Sequence, residues 1–199
     1  RRQAGKPLTA PQRYGLAIAH LQGGDSRTAL TELRRLDDEH PDNLWITLAL
    51  GEAESRTGDP VAANRRFDAL LQRLPQIRPA VLTYAKVLNE QGGREAGQRS
   101  QAILRPLMAR AGDDPVFQQH FARANELAGD TARAGEAYAE AAYLNGRPEQ
   151  ALIQLQNLKN QGDLDFYARA RIDARIAAIT PEVLELRRQG IRDPDVERR

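Results

Sequence analysis

Residues 58–75 have the sequence GDPVAANRRFDALLQRLP, which holds the start, the buried face and the end of one helix. Asp59 before Pro60 is typical of a helix start, because the carboxylate accepts from unpaired N–H groups and proline fits the first turn. The proline at the far end of the stretch cannot continue the helix. Apolar residues recur between them at i, i+4 and i+7, on one helical face: Ala63, Phe67 and Leu70.

The same pattern recurs at intervals of 34 residues. The equivalent positions are a turn glycine (Gly24, Gly58, Gly92), a small residue (Ala29, Ala63), two large apolar residues (Leu33 and Phe67; Leu36 and Leu70) and a closing proline (Pro41, Pro75). This period is typical of the tetratricopeptide (TPR) repeat, a hairpin of two helices. The sequence therefore predicts an all-α fold, a TPR-type solenoid of about 10–11 helices with one half-repeat and a C-terminal capping helix.

Turn residues divide the predicted solenoid, residues 1–180, into repeats at about 10–43, 44–77, 78–114, 115–145 and 131–162. A cap at 164–178 follows, and 181–199 is predicted to be a short helix with a frayed tail. Gly129 follows Gly92 by 37 residues, so we place a three-residue insertion after the Gly92 turn. Gly146 follows Gly129 by only 17, which predicts that one helix, at about 131–145, belongs to two hairpins.

Composition limits the function. The 29 basic and 27 acidic residues are interspersed and leave a net charge of +2, which disfavours a nucleic-acid partner. There is no cysteine, and no apolar run approaches the roughly 18–20 residues of a transmembrane helix. The chain opens with Arg1 instead of methionine, so we expect a piece of a longer protein with any export signal upstream.

No catalytic constellation is found in the sequence. Zinc hydrolysis usually needs two histidines four residues apart, whereas His20, His40 and His120 are far apart in the sequence. We expect His20 to be a packing residue. The serines lack the Gly-x-Ser-x-Gly context of a nucleophile, and each glycine is explained by a turn. We therefore predict no catalytic residue, metal ligand or cofactor in this chain.

The longer third repeat, the half-repeat at 138–146 and the closing run at 165–176, DFYARARIDARI, together resemble one family. They are similar to the C-terminal TPR domain of the BepA-type periplasmic zinc metallopeptidases, the β-barrel assembly-enhancing proteases of Gram-negative bacteria. The resemblance implies a periplasmic location and a parent protein that is a zinc metalloendopeptidase, with its zinc in a catalytic domain upstream. It also implies partners: the outer-membrane β-barrel assembly proteins, their barrel substrates and the protein's own protease domain. The HExxH motif of that family is absent here, so none of its metal or catalytic residues is carried over.

A TPR solenoid offers a concave groove lined mainly by the first helix of each pair. Projection of the repeat phase places ten residues there: Tyr14, Ile18, Trp45, Leu48, Glu52, Arg56, Leu82, Lys86, Gln119 and Arg123. Trp45, the only tryptophan, is the strongest candidate for an interface anchor, although packing against the previous repeat explains it equally well. The closing run has two interpretations as well, a contact surface or a helix cap held by aromatic packing and ion pairs.

Three functions remain open at this stage. The first is a protein-protein interaction module that docks the metalloprotease on the outer-membrane β-barrel assembly machinery and its substrates. The second is an intramolecular regulatory scaffold that packs on its own protease domain, and the third is a free-standing TPR adaptor.

Overall fold

The computed structural model describes residues 7–161 and 164–193, and every regular element in these ranges is helical. The helices are α1 (Ala10–Gln22), α2 (Ser26–Glu39), α3 (Leu44–Arg56), α4 (Pro60–Arg73), α5 (Arg78–Gln91), α6 (Gly93–Leu104), α7 (Met108–Ala111), α8 (Pro115–Ala128), α9 (Thr131–Leu144), α10 (Pro148–Asn160) and α11 (Phe166–Arg188). The chain is an all-α, TPR-type solenoid of helical hairpins, as the sequence predicts.

Short polar side chains start most of these helices. The Asp59 carboxylate accepts from the backbone N–H of Ala62 at 2.9 Å, as expected from the Asp-Pro signal. Equivalent caps accept at the starts of α2, α3, α8, α9 and α11: Asp25, Asn43, Asp114, Asp130 and Asp165. At α1 the side chain of Gln12 accepts from the Thr9 N–H at 3.0 Å. Local sequence therefore sets where each of these helices begins.

The repeated apolar positions form the buried seam between the helices. Ala29, Ala63, Leu33, Phe67 and Leu36 are all fully buried. The Phe67 ring stacks on the Tyr84 ring of α5, with centroids 4.8 Å apart. On its other side it meets Gly51 of α3, where an added Cβ would lie 2.6 Å from the ring. Glycine at position 51 is thus required by the close contact between α3 and α4.

The third repeat carries its extra residues at a different place from the predicted one. Gly97 is buried, and an added Cβ there would lie 2.6 Å from Leu127 Cβ of α8, so glycine serves as the small contact residue. Leu104, which follows Leu70 by 34 residues, is fully buried. The repeat phase therefore holds through α6, and the predicted insertion after the Gly92 turn is wrong. The added length lies after α6, in a 3-10 turn at Arg105–Leu107 and in α7.

The chain divides into two compact units, at residues 1–87 and 88–199. In the first unit α1 packs on α2, α2 on α3 and α3 on α4. Its core contains these residues: Ala17, Leu21, Ala29, Leu33, Leu36, Ile46, Ala49, Leu50 and Ala53. In the second unit α6 packs on α8, and a core cluster joins α9, α10 and α11.

Helix α9 packs on both α8 and α10. Because α2 and α3 also pack on both of their neighbours, the half-repeat stays a prediction. The array then closes with α11, which packs mainly on α10.

The closing helix is longer than predicted. The sequence predicts a cap that ends near residue 178 and a separate helix after Pro181, yet α11 runs without interruption from Phe166 to Arg188. Proline cannot donate to the carbonyl four residues earlier. The helix persists because Ile179 and Val183, on either side of Pro181, are both buried in the second-unit core. Of the predicted tail, residues 194–199 lie outside the described part of the chain.

Candidate functional site

Trp45 is an exposed aromatic residue on a helix whose other large side chains are mostly buried. Its exposed fraction is 57%, whereas Ile46, Leu48 and Leu50 are each 5% exposed or less. The residue lies in the first turn of α3, where the Asn43 side chain accepts from its backbone N–H at 3.1 Å. The cap thus fixes the start of the helix and leaves the indole at the surface.

Glu52 is the centre of a charged cluster in the first unit, about two turns further along α3 than Trp45. Its Oε1 accepts from Lys86 Nζ at 2.6 Å and lies 2.8 Å from a guanidinium nitrogen of Arg56. Arg56 also donates to the backbone carbonyl of Leu21 at 3.0 Å, which ties α3 to α1. The pKa of Tyr14 is raised above its ordinary value, first by burial and then by the nearby charge of Glu52. The structure therefore brings together four of the predicted groove residues.

The apolar members of the predicted set lie deeper. Leu48 is 5% exposed and has no surface to offer, because α3 is packed by α1, α2 and α4. Ile18 packs against the first-unit core, and Leu82 is partly buried. Projection of the repeat phase places these residues in the groove because it treats α3 and its equivalents as helices with one free face.

Gln119 and Arg123, the two predicted residues of the second unit, line a cleft of about 820 Å³ formed by α8, α9 and α10. Arg123 donates to Glu126 at 2.7 Å, and the Tyr138 hydroxyl donates to the same carboxylate at 3.0 Å. These bonds lower the pKa of Glu126, that from Arg123 most and that from Tyr138 next. The pKa of Tyr138 is raised, first by burial and then by its bond to Glu126.

The opposite wall of this cleft was missed by the sequence reasoning. It consists of polar side chains of α10 and its C-terminal end: Gln150, Gln154, Asn157 and Gln161. Their i, i+4, i+7 and i+11 spacing was readable as a helical stripe. The projection covered only the first helix of each pair and left this helix out.

Different residues of the closing run at 165–176 fit its two interpretations, a helix cap and a contact surface. Arg171 makes a two-bond contact with Glu136 of α9, at 2.7 and 2.9 Å, and Arg175 makes the same contact with Glu140 at 2.8 Å. The guanidinium of Arg175 also lies 4.3 Å from the ring centroid of Tyr143. These arginines hold α11 on α9, as a cap would.

The two aromatic residues of the run are exposed instead. Phe166 is 79% exposed and Tyr167 is 73% exposed, and their rings pack edge to face with centroids 5.7 Å apart. They therefore contribute little to the cap and present an aromatic pair at the start of α11.

The histidines of the described residues do not come together at a metal site. His20 is about one-third exposed, and its Nδ1 lies 3.3 Å from the Asp25 carboxylate, which places it at the surface and not in the core. Within residues 7–161 and 164–193, no group of three histidine or acidic side chains is placed to hold a metal ion. None of the described helices is long and apolar enough to cross a membrane.

Comparison with known proteins supports the fold. No protein-family model and no curated protein matches the sequence. The solved structures that share the architecture include two of MamA. A double mutant of MamA from RS-1 gives a TM-score of 0.59 at 18% identity, covering 87% of this chain and 95% of that one. MamA from residue 41 to its end, from Desulfovibrio magneticus RS-1, gives 0.57 at 20% identity, covering 90% and 96%. MamA is a TPR-like helical repeat protein, so the likeness shows the fold.

Proposed function

We propose that this chain is a protein-interaction module whose first unit binds a partner protein through the surface around Trp45. The observation that carries the proposal is the exposure of the indole, 57%, on the same helix as the Glu52 charge cluster. A large aromatic side chain with polar neighbours is the typical centre of a binding surface. An aromatic side chain that is mostly exposed to water contributes little to the stability of the fold.

We propose further that the module works in the periplasm and docks a zinc metalloprotease on the outer-membrane β-barrel assembly machinery and its substrates. Support for this finer proposal comes from the resemblance of the half-repeat and of the run at 165–176 to the BepA-type TPR domain. The exposed pair Phe166 and Tyr167 lies in this same run and offers a second aromatic contact.

Site-specific crosslinking tests both levels of the proposal. A photoreactive amino acid replaces Trp45, with Lys86 as a second position, and the protein is exposed to a Gram-negative envelope extract. Val61 on α4, 65% exposed, is the matched control for an apolar side chain at another surface. Capture of β-barrel assembly proteins from Trp45 and Lys86 but not from Val61 is the expected result. Capture of only the cognate protease domain would favour the regulatory scaffold instead.

Affinity gives an independent measure once a partner is captured. Trp45→Ala is expected to weaken binding by about 2 kcal/mol, or roughly 30-fold, if the indole is an interface hot spot. Because the side chain is largely exposed, the same change should leave the unfolding midpoint nearly unchanged. Unaltered affinity in the Trp45→Ala variant would overturn the assignment of this surface.

A further inference from the structure

A stripe of side-chain amides runs along one wall of the second-unit cleft. Its members are Gln150, Gln154, Asn157 and Gln161, referred to below as the amide stripe. At 1.5 Å of rise per residue, the stripe extends over about 16 Å. Because the four positions differ by three or four residues each, their side chains follow one another along a single helix face.

Two acceptors of the amide stripe are unsatisfied. Among the described residues, Oε1 of Gln150 and Oε1 of Gln154 are buried and accept no hydrogen bond. A buried carbonyl oxygen without a donor costs free energy, because its hydration is lost without replacement. Both side chains line the cleft, so their rotation toward it would bring these oxygens within reach of N–H donors from a bound molecule.

The remainder of the cleft is lined by small residues of α9 and by three charged residues, Arg123, Glu126 and Arg147. The charges of Arg123 and Glu126 offset one another across 2.7 Å. The small residues of α9 in the lining include Ala134 and Gly135. Helices α9 and α10 come so close that an added Cβ at Gly135 would lie 2.7 Å from a methyl group of Leu158. The Leu158 side chain therefore covers Gly135, so the amide stripe and not the α9 backbone is the polar surface offered to a ligand.

We propose that this cleft binds an extended polypeptide segment by its main chain. A side-chain amide both donates and accepts, which matches the alternating C=O and N–H groups of a peptide. An extended strand advances about 3.3 Å per residue, so the amide stripe spans about five residues of it. Recognition by amides depends little on the sequence of the bound segment. This site is separate from the Trp45 surface and takes a partner segment that has not formed its own backbone hydrogen bonds.

A backbone-modified peptide tests the proposal on the unaltered protein. The probe is a fluorescent, uncharged peptide of about ten residues built from Ser, Thr, Val and Ala, and its binding is followed by fluorescence anisotropy. Its partner probe has the same side chains with alternate amide nitrogens methylated, which removes donors. The methylated peptide is expected to bind at least about tenfold more weakly. Equal binding of the two probes, or no binding of either, would overturn the proposal.

Variants assign the binding to the amide stripe. The double change Gln150→Leu and Gln154→Leu is expected to weaken peptide binding by about tenfold, whereas Gln156→Leu, at an exposed position outside the cleft, should not change it. Circular dichroism checks that each variant is folded. If the double variant bound the peptide as tightly as the unaltered protein does, main-chain recognition would be contradicted. Displacement of the peptide by a neutral oligosaccharide would contradict it as well.

The Trp45→Ala variant separates this proposal from the previous one. It should leave peptide anisotropy unchanged while it weakens binding of the folded partner roughly 30-fold. If the Trp45→Ala change weakened binding of the peptide probe, the probe would bind the first unit and not the cleft.

Discussion

Gly51→Ala is the substitution for which the structure makes the sharpest stability prediction. In a helix interior, alanine is favoured over glycine by about 1 kcal/mol. At position 51, however, the new Cβ would lie 2.6, 2.9 and 3.2 Å from three atoms of the Phe67 ring. That ring is fully buried and stacked on Tyr84, so it has no direction in which to retreat.

Overpacking of this kind costs about 1–3 kcal/mol. Gly15 in α1 is the matched control, because it lies in the interior of a helix in the same unit and an added Cβ there meets nothing within 4 Å. Gly15→Ala should stabilise the protein by about 1 kcal/mol. Gly51→Ala should then be about 1–3 kcal/mol less stable than Gly15→Ala.

Urea unfolding followed by far-ultraviolet circular dichroism measures the difference, which corresponds to a midpoint shift of about 1 M for a protein of this size. Hydrogen exchange in α3 assigns the effect to the first unit. A double-mutant cycle with Phe67→Leu supplies the mechanism, since the smaller side chain should relieve part of the penalty. Equal stabilisation by the two alanine substitutions would refute the close contact between α3 and α4.

Three further changes test the caps and the ion pairs. Asp59→Ala removes the cap of α4 and should cost about 1 kcal/mol in urea unfolding, whereas Asp38→Ala, at an exposed helix position, should cost much less. The pKa of Glu126 is lowered from 4.5, so the charged contact with Tyr138 should be present above that value and be lost as pH falls through the lowered pKa. Nuclear magnetic resonance of the Tyr138 ring follows this transition, and Glu126→Gln should abolish it. Arg175→Lys keeps the charge but loses the two-bond contact with α9, and faster hydrogen exchange in α11 is expected; unchanged exchange would contradict its role in the cap.

Most of the fold was predictable because its signals are local. Asp59 marks the start of α4 through a hydrogen bond within four residues, and the turn glycine at 58 adopts a φ of 91°. Glycine tolerates this left-handed conformation without a side-chain clash. The break expected at Pro181 was wrong because packing of the flanking residues outweighs the lost hydrogen bond, and a sequence does not display that packing.

The candidate sites were less predictable because exposure depends on the neighbours of each helix. Trp45 and Leu48 occupy nearby positions on α3, yet the first is exposed and the second buried. The amide stripe lies on α10, which follows the predicted half-repeat, and a projection based on alternating first and second helices does not extend past that point. Its signal was the spacing of Gln150 and Gln154, which a scan for polar stripes would have found.

The irregular turn spacing on either side of α9 has a consequence for how such a protein can change in length during evolution. Gene duplication adds or removes whole hairpins, and in the 34-residue array before α8 each added hairpin preserves the alternation of its neighbours. From α8 onward the turn glycines are no longer 34 residues apart, since Gly129 follows Gly92 by 37 residues and Gly146 follows Gly129 by 17, so an added 34-residue unit would not match the turns there. Natural length variants of this architecture should therefore differ at the N-terminal side of α8, and the segment from α8 to α11 should be inherited as one block.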